Sequence, residues 1–371
     1  MGLVGIAVAG TFVLRILLPG RMDPTIFLAL GKQAPIQTEY ARELLGDVTP
    51  RTLGGHDGKY FFAQANDPWH LDPYTHAAVL DRPIYRGQRM LFPMLAGGFG
   101  LFPPHVVVWA MLVTNLLAIG VGSLFAARLA VHRGASPWLG LAVPLNIGLI
   151  FEVYVGGAGI VAYVLCLGAV SFLEEDRSWA AAALLAGAAL SREVMLVFAA
   201  GVFVLFWISE RRAWWRFVTV PVVAMAFWHL YLRYRLAGVT GVGGGPQIFA
   251  VPFTGMWQAF RQWGRQPDDL LLNGAMLLVV VAFTLRAVRG RLPLAWGALP
   301  FVALASVLSM YVWLEPFDLA RAFAPVLTAA AFVLFVRETE QAPGLASGRS
   351  VGRHGRSTGV AGRRDPTSAG D

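Results

Sequence analysis

Apolar segments of roughly 20 residues recur from the N-terminus to Val336, and few of them carry a charge inside. A helix of about that length crosses the hydrocarbon core of a bilayer. Backbone in lipid must satisfy its own hydrogen bonds, which leaves helices and closed barrels as spanning structures. A soluble chain of 371 residues has no means of hiding so many helices that are apolar on every side. The composition agrees: 56% of residues are hydrophobic and only 14% are charged, against about a quarter charged in soluble domains. The expected fold class is therefore all-α, a polytopic membrane helix bundle. About ten spans are expected, at 1–19, 105–127, 137–151, 157–173, 179–190, 194–208, 217–232, 269–285, 293–313 and 322–336.

The net charge of +8 does not point to nucleic acid. Much of it lies in short loops between apolar runs and in the C-terminal tail, where Lys and Arg set membrane orientation. Arg128 and Arg133, then Arg211, Arg212 and Arg216, then Arg286, Arg289 and Arg291, then Arg337 mark one side, expected to be the cytoplasm. Ten spans then place both termini in the cytoplasm of a plasma (inner) membrane protein. The segment 1–19 lacks a basic n-region and is interrupted by Arg15, so it reads as the first membrane helix, not a signal peptide. The apolar run 91–102 contains Pro93, Gly97 and Gly98 and is expected to be half-inserted on the outer side, because counting it as a span inverts every later loop. The single cysteine, Cys166, permits no intramolecular disulfide and reads as a small apolar residue.

This topology divides the chain into a transmembrane domain, 1–340, and a basic cytoplasmic tail, 341–371, whose Gly, Ser and Arg content reads as disordered. The tail either touches anionic headgroups through its arginines or is simply solvated. The long external loop 20–104 is too aromatic to be disordered and is expected to hold interfacial helices. The turns around Glu152, 191–193, 233–268 and 315–321 fall on the same outer side.

Four groups of residues in these external segments carry possible chemistry. In Gly54, Gly55, His56, Asp57, Gly58, Lys59, Tyr60 and Phe61, glycines flank a carboxylate, so backbone can approach a ligand closely. Asp57 is either a general base or cation ligand, or an ordinary Asp in a turn. Asp81, Arg82, Pro83, Ile84, Tyr85, Arg86, Gly87, Gln88 and Arg89 place three guanidiniums just before the half-inserted run. They suit phosphate oxygens, or they anchor the segment at headgroup level. Ser191, Arg192 and Glu193 interrupt two apolar runs; at membrane depth such a pair is a functional candidate, and in an external turn it is a plain ion pair. Glu152 and the stretch Glu315, Asp318 and Arg321 complete the set. His70, Asp72 and His76 lack the tight geometry of a metal site and read as surface polarity. The glycine run 241–245 has no preceding strand and no following Gly-Lys-Ser/Thr, so it reads as a flexible external loop.

The stretches Gly55-His56-Asp57-Gly58-Lys59-Tyr60-Phe61-Phe62 and Arg82-Pro83-Ile84-Tyr85-Arg86-Gly87-Gln88-Arg89-Met90-Leu91-Phe92-Pro93 resemble bacterial multi-spanning glycosyltransferases of the GT-C type, those of cell-surface glycopolymer formation. Ala189-Leu190-Ser191-Arg192-Glu193 is similar to the Leu-Thr-Arg/Lys-Glu turn of many such proteins. The resemblance implies a GT-C-like bundle and an inverting transfer from a sugar on a polyprenyl phosphate. It implies that Asp57 acts on the acceptor or helps hold a metal, with Glu152 as a second acid. The acidic pair common in the first loop is absent, since His56 precedes Asp57, so a divalent cation (Mg or Mn) is admitted and not required.

Together these readings give a membrane enzyme that moves a sugar from a polyprenyl-phosphate donor to a cell-envelope glycan, lipid or protein acceptor at the outer face. Asp57, Glu152 and Glu193 are the expected catalytic residues. His56, Tyr60, Arg82, Arg86, Arg89, Arg192, Glu315, Asp318 and Arg321 are the expected substrate-binding residues. The bilayer is the other partner, and no nucleic acid is involved. Two alternatives use the same features: a transporter or flippase of a lipid-linked saccharide, for which broken helices and intramembrane charges are also expected, and a non-catalytic subunit of a cell-envelope complex.

Overall fold

A computed structural model describes residues 1–51, 55–209, 214–240, 249–263 and 267–336. The 341–371 tail, the 241–245 glycine run, Gly54, and the orientation residues Arg211, Arg212 and Arg337 lie outside the described residues. Among the described residues the regular elements are all helices, and an isolated bridge joins Phe249 and Leu308.

Prolines and polar caps place many of the helix starts. Pro35, Pro73, Pro83, Pro104, Pro293 and Pro316 each occupy the first turn of a helix, where a missing N–H costs nothing and the fixed φ is already helical. Asn146 caps Ile147–Tyr154 by accepting from the N–H groups of Gly148 and Leu149.

Three described helices are long and apolar enough to cross a membrane: Pro104–His132, Arg216–Arg235 and Asp268–Ala287. A fourth candidate is the pair Pro316–Ala322 and Ala324–Phe335, bent by 66° at its break. The remaining apolar helices, Gly2–Leu17, Gly159–Leu173, Ser178–Ser191, Met195–Ile208 and Pro293–Ala305, are shorter than a standard span. Leu117, Leu124, Phe227, Leu271 and Leu278 point outward from the long helices, as on a surface solvated by lipid chains.

Close crossings are built on small residues. A Cβ on Gly5 would collide with the side chain of Ser123, and one on Gly120 with Ile6, so Gly2–Leu17 lies directly on Pro104–His132. Gly159–Leu173 packs along Ser178–Ser191; Gly168, Ala181, Ala182 and Ala189 are all buried, and a Cβ on Gly168 would press on Phe125 and Leu184.

Three expectations require correction. The segment 137–151 is not one helix: a 3-10 turn, Pro137–Ala142, gives way to Ile147–Tyr154. Glu152 therefore sits in the last turn of a helix and not in a loop. The segment 293–313 breaks into Pro293–Ser306 and Met310–Leu314. The break occurs where the carbonyls of Ser306 and Val307 accept from Phe253 (2.6 Å) and Ala250 (2.7 Å). Finally, 233–268 is not all loop, since Thr254–Trp263 is helical.

The expectation of helices in 20–104 is met by Pro35–Leu45, Gly58–Asn66, Pro73–Val79, Pro83–Gly87 and Leu91–Ala96. Phe61, Phe62 and Phe92 bury their rings with Val107, Val108 and Met111 of the Pro104–His132 helix, so this loop is a packed layer.

Candidate functional site

Five segments distant in sequence bring their ionisable side chains to one place. Asp57 precedes the Gly58–Asn66 helix, and Arg86 and Arg89 come from and just follow Pro83–Gly87. Glu152 is in the last turn of Ile147–Tyr154, Arg192 and Glu193 fill the break between two apolar helices, and Asp318 and Arg321 lie on Pro316–Ala322.

Arg321 is the hub. Its guanidinium donates to Asp57 (2.9 Å), to Glu152 (3.0 Å) and to Asp318 (3.0 Å). Asp57 also accepts from Arg86 at 2.8 Å, and Glu152 from Arg192 at 2.5 Å. Arg86 is held from behind by Asp81, through Nε at 2.8 Å and Nη2 at 2.9 Å, and its guanidinium lies 4.0 Å from the centroid of the Tyr60 ring. Beside this chain of pairs, Arg89 grips Glu193 with two nitrogens, at 2.8 and 2.6 Å, and takes the Tyr85 hydroxyl as a third partner.

Close backbone packing creates this arrangement. Asn146 donates to the carbonyl of Ala324 (2.8 Å) and to Thr328 (2.9 Å), which pins the start of the Glu152 helix. A Cβ on Gly148 would lie 2.1 Å from the carbonyl oxygen of Ala320, so only glycine lets this helix touch the one that carries Arg321. Gly157 and Gly159 leave the room filled by the Glu152 carboxylate: added Cβ atoms would sit 1.7 and 2.3 Å from its oxygens. The Gly159 N–H donates to the same carboxylate at 3.3 Å.

Burial makes these charges costly. The Glu152 side chain is 1% exposed and that of Arg321 is 9% exposed. A buried ion pair recovers its desolvation cost only with good geometry and further hydrogen bonds, and an apolar replacement often serves stability as well or better. Stability alone gives little reason to assemble so many charges, which makes the cluster a site candidate. Burial alone would push the Asp57 carboxyl up, but the guanidiniums of Arg321 and Arg86 outweigh it and hold it well below the usual carboxylate range. Asp81 is likewise lowered, with the hydrogen bonds and charge of Arg86 overcoming its burial.

The other expected residues divide. Tyr60 lies under Arg86. His56 stays outside the ionic network and packs its ring edge-on against Phe151, 5.5 Å between centroids. Arg82 is exposed, and its backbone N–H donates to the Asp81 carboxylate. Glu315 is exposed and forms no ion pair among the described residues; its carbonyl accepts from Leu319 (3.0 Å). Asp81 and Tyr85 belong to the Asp81–Arg89 group singled out in the sequence, but their part in it, as the partners that hold Arg86 and Arg89, emerges only in the structure.

His70 and His76 are buried and not surface polarity, a further correction. Their rings lie 4.9 Å apart, and His76 pairs with Asp67 at 3.1 Å, while Asp72 caps the next helix. Burial, helped by the neighbouring His76, pushes His70 down to about 3.

Among the described residues no group of three or more His, Cys, Asp or Glu side chains is placed to hold a metal ion. Compared with protein-family models, with curated proteins and with solved structures, the chain finds no match.

Proposed function

We propose that this chain is a polytopic membrane glycosyltransferase of the GT-C type, moving a sugar from a polyprenyl-phosphate donor to a cell-envelope acceptor. The observation that carries the reading is the convergence of Asp57 and Glu152 on Arg321, with Arg86, Arg192 and the Arg89–Glu193 pair around them. Glycosyl transfer from a phosphate needs cationic groups for the leaving phosphate and a carboxylate for the acceptor proton, and both are present within one network.

In this reading the donor phosphate takes hydrogen bonds from Arg321, Arg192 and Arg86, which are forks suited to its oxygens. The phosphate competes with Asp57 for those guanidiniums. Once released, the carboxylate loses the charges that depress it and becomes a stronger base. The acceptor hydroxyl attacks the anomeric carbon and its proton passes to Asp57. The bond from that carbon to the phosphate oxygen breaks, and the electron pair leaves on the phosphate. Glu152 holds Arg321 and Arg192 in register, and Glu193 holds Arg89.

A divalent cation fits this donor set poorly. Asp57 and Glu152 already share Arg321, so a metal between them would have to expel a guanidinium. No step is assigned to one, and the arginines supply the positive charge.

The proposal includes about ten spans, the shorter apolar helices crossing as tilted or protein-enclosed elements. It includes both termini in the cytoplasm of the inner membrane, with the site at the outer face. The bent pair at 316–335 and the broken segment 137–154 favour one second reading, a transporter of the lipid-linked saccharide, since broken helices line such substrate paths.

The test is transfer of radiolabelled sugar from polyprenyl-phosphate donors to cell-envelope acceptors in membranes carrying the wild-type chain or Asp57→Ala. Transfer that vanishes in the variant, with the protein inserted and folded, is the expected result. Equal transfer in both removes Asp57 from the reaction.

A further inference from the structure

The helix Thr254–Trp263 presents three different faces around its circumference. Gly255, Ala259 and Trp263 are buried against the protein. Phe253, Trp257 and Phe260, at spacings of four and three, form a second, apolar stripe that is exposed: Trp257 is 56% and Phe260 54% open. Thr254, Gln258, Arg261 and Gln262 make a third, polar stripe, also exposed. At 3.6 residues per turn these stripes occupy successive sectors, with no mixing. Just before the helix, Phe249 and Val251 extend the open apolar surface.

We infer that Thr254–Trp263 lies in the plane of the membrane interface, with the Phe253–Trp257–Phe260 stripe in the headgroup–acyl boundary and the Gln258–Arg261 stripe in water. The occupant of the apolar stripe is the bilayer itself. Continuity supports this assignment: the next described element is the candidate span Asp268–Ala287, whose Leu271 and Leu278 also face outward. Aromatic rings and a snorkelling cation are the usual tenants of that depth, and Arg261 rests its guanidinium 5.1 Å from the Trp257 ring centroid. An in-plane helix of this type buries its apolar face about 5–10 Å below the headgroups.

The inner face is fixed to the rest of the molecule. A Cβ on Gly255 would lie 2.1 Å from the carbonyl oxygen of Leu308. The Trp263 indole N–H donates to the carbonyl of Trp313 at 3.1 Å, and the Trp313 ring packs 6.1 Å from Phe323, directly after the helix that bears Arg321. An interfacial anchor here ties that helix to the level of the lipid headgroups. The inference is independent of sugar transfer and holds for an enzyme, a transporter or a subunit.

The experiment places a nitroxide at Phe260→Cys, Trp257→Cys or Gln258→Cys in a Cys166→Ala background of the full chain. The protein is reconstituted in phosphatidylcholine vesicles with one-quarter phosphatidylglycerol, and collisions with oxygen and with a water-soluble nickel chelate are compared. Labels at 257 and 260 are expected to meet oxygen several-fold more than nickel, with the reverse at 258. Nickel collisions at 257 and 260 as frequent as at 258 overturn the inference, and so does dipolar broadening between labels, which assigns the stripe to a second copy. A variant that fails to reconstitute is replaced by wild type and Trp257→Phe in brominated lipid. The difference in quenching between them is the contribution of Trp257, and its absence also overturns the inference.

Discussion

Arg321 and Asp57 are 264 positions apart in the chain and 2.9 Å apart in space. The same guanidinium serves Glu152 and Asp318, so one side chain joins the 20–104 segment to the penultimate described helix. Arg321→Ala leaves two largely buried carboxylates short of a partner. Removal of one member of a buried pair costs about 3–5 kcal/mol, and the variant is expected to melt well below wild type in detergent. Arg321→Lys keeps the charge but lacks the planar fork, and is expected to recover only part of the loss. An unchanged melting temperature in Arg321→Ala would show that the hub contributes nothing to the fold.

Gly148 tests the packing beneath the site. The Cβ of Gly148→Ala would stand 2.1 Å from backbone of the Arg321 helix, where no flexible side chain can give way. The two helices must separate, and the Glu152–Arg321 contact must lengthen. Loss of stability of about 1–3 kcal/mol is expected, as for overpacked cores, together with loss of transfer. Thermal unfolding and the transfer assay check the two halves separately.

Arg89 and Glu193 form a two-pronged pair that bridges the 20–104 segment and the 191–195 break. In a double-mutant cycle, Arg89→Ala and Glu193→Ala are each expected to destabilise. The double variant should cost less than their sum by about 0.5–3 kcal/mol, the range for directly coupled residues. Additive effects would mean that the pair is not formed in the folded protein.

His70 gives a pH dependence of known sign. Burial pushes it down to about 3 in the folded chain, from 6.5 when unfolded. Below pH 6.5 the unfolded chain takes up a proton that the folded chain refuses, so stability present above 6.5 is lost progressively toward pH 3. Between pH 6.5 and 5 that loss amounts to roughly 1.5 kcal/mol, because the slope reaches the full 1.36 kcal/mol per pH unit only below the unfolded value. Detergent melts of wild type and His70→Gln over pH 5–7 should therefore converge as pH falls, and parallel curves would rule out this origin.

The ionic site was legible because charge is expensive in an apolar chain. Asp57, Arg86, Arg89, Glu152, Arg192, Glu193, Asp318 and Arg321 stand out against their neighbours for that reason alone. Which acid faces which arginine was not legible, since the pairing depends on Gly148, Gly157 and Gly159 making room at contacts far apart in sequence. Helix breaks were partly legible. Asn146, inside a run read from hydropathy as one span, proves to cap a new helix, whereas the stop at Ser306 is imposed by hydrogen bonds from Phe253 and Ala250 across a fold that hydropathy does not describe. The span count follows from hydropathy, and the structure carries it only as far as the helices long enough to cross. His70 and His76 read as surface polarity because nothing local shows that the loop around them is packed.

The most direct measurement follows the labelled sugar itself in sealed proteoliposomes that hold only this protein, a polyprenyl-phosphate-linked sugar and an acceptor. The label is expected to leave the lipid and become covalently joined to the acceptor, and Asp57→Ala is expected to abolish this in a protein that still melts cooperatively. Label that crosses the bilayer with its lipid linkage intact, and never appears on the acceptor, would contradict sugar transfer and identify a transporter.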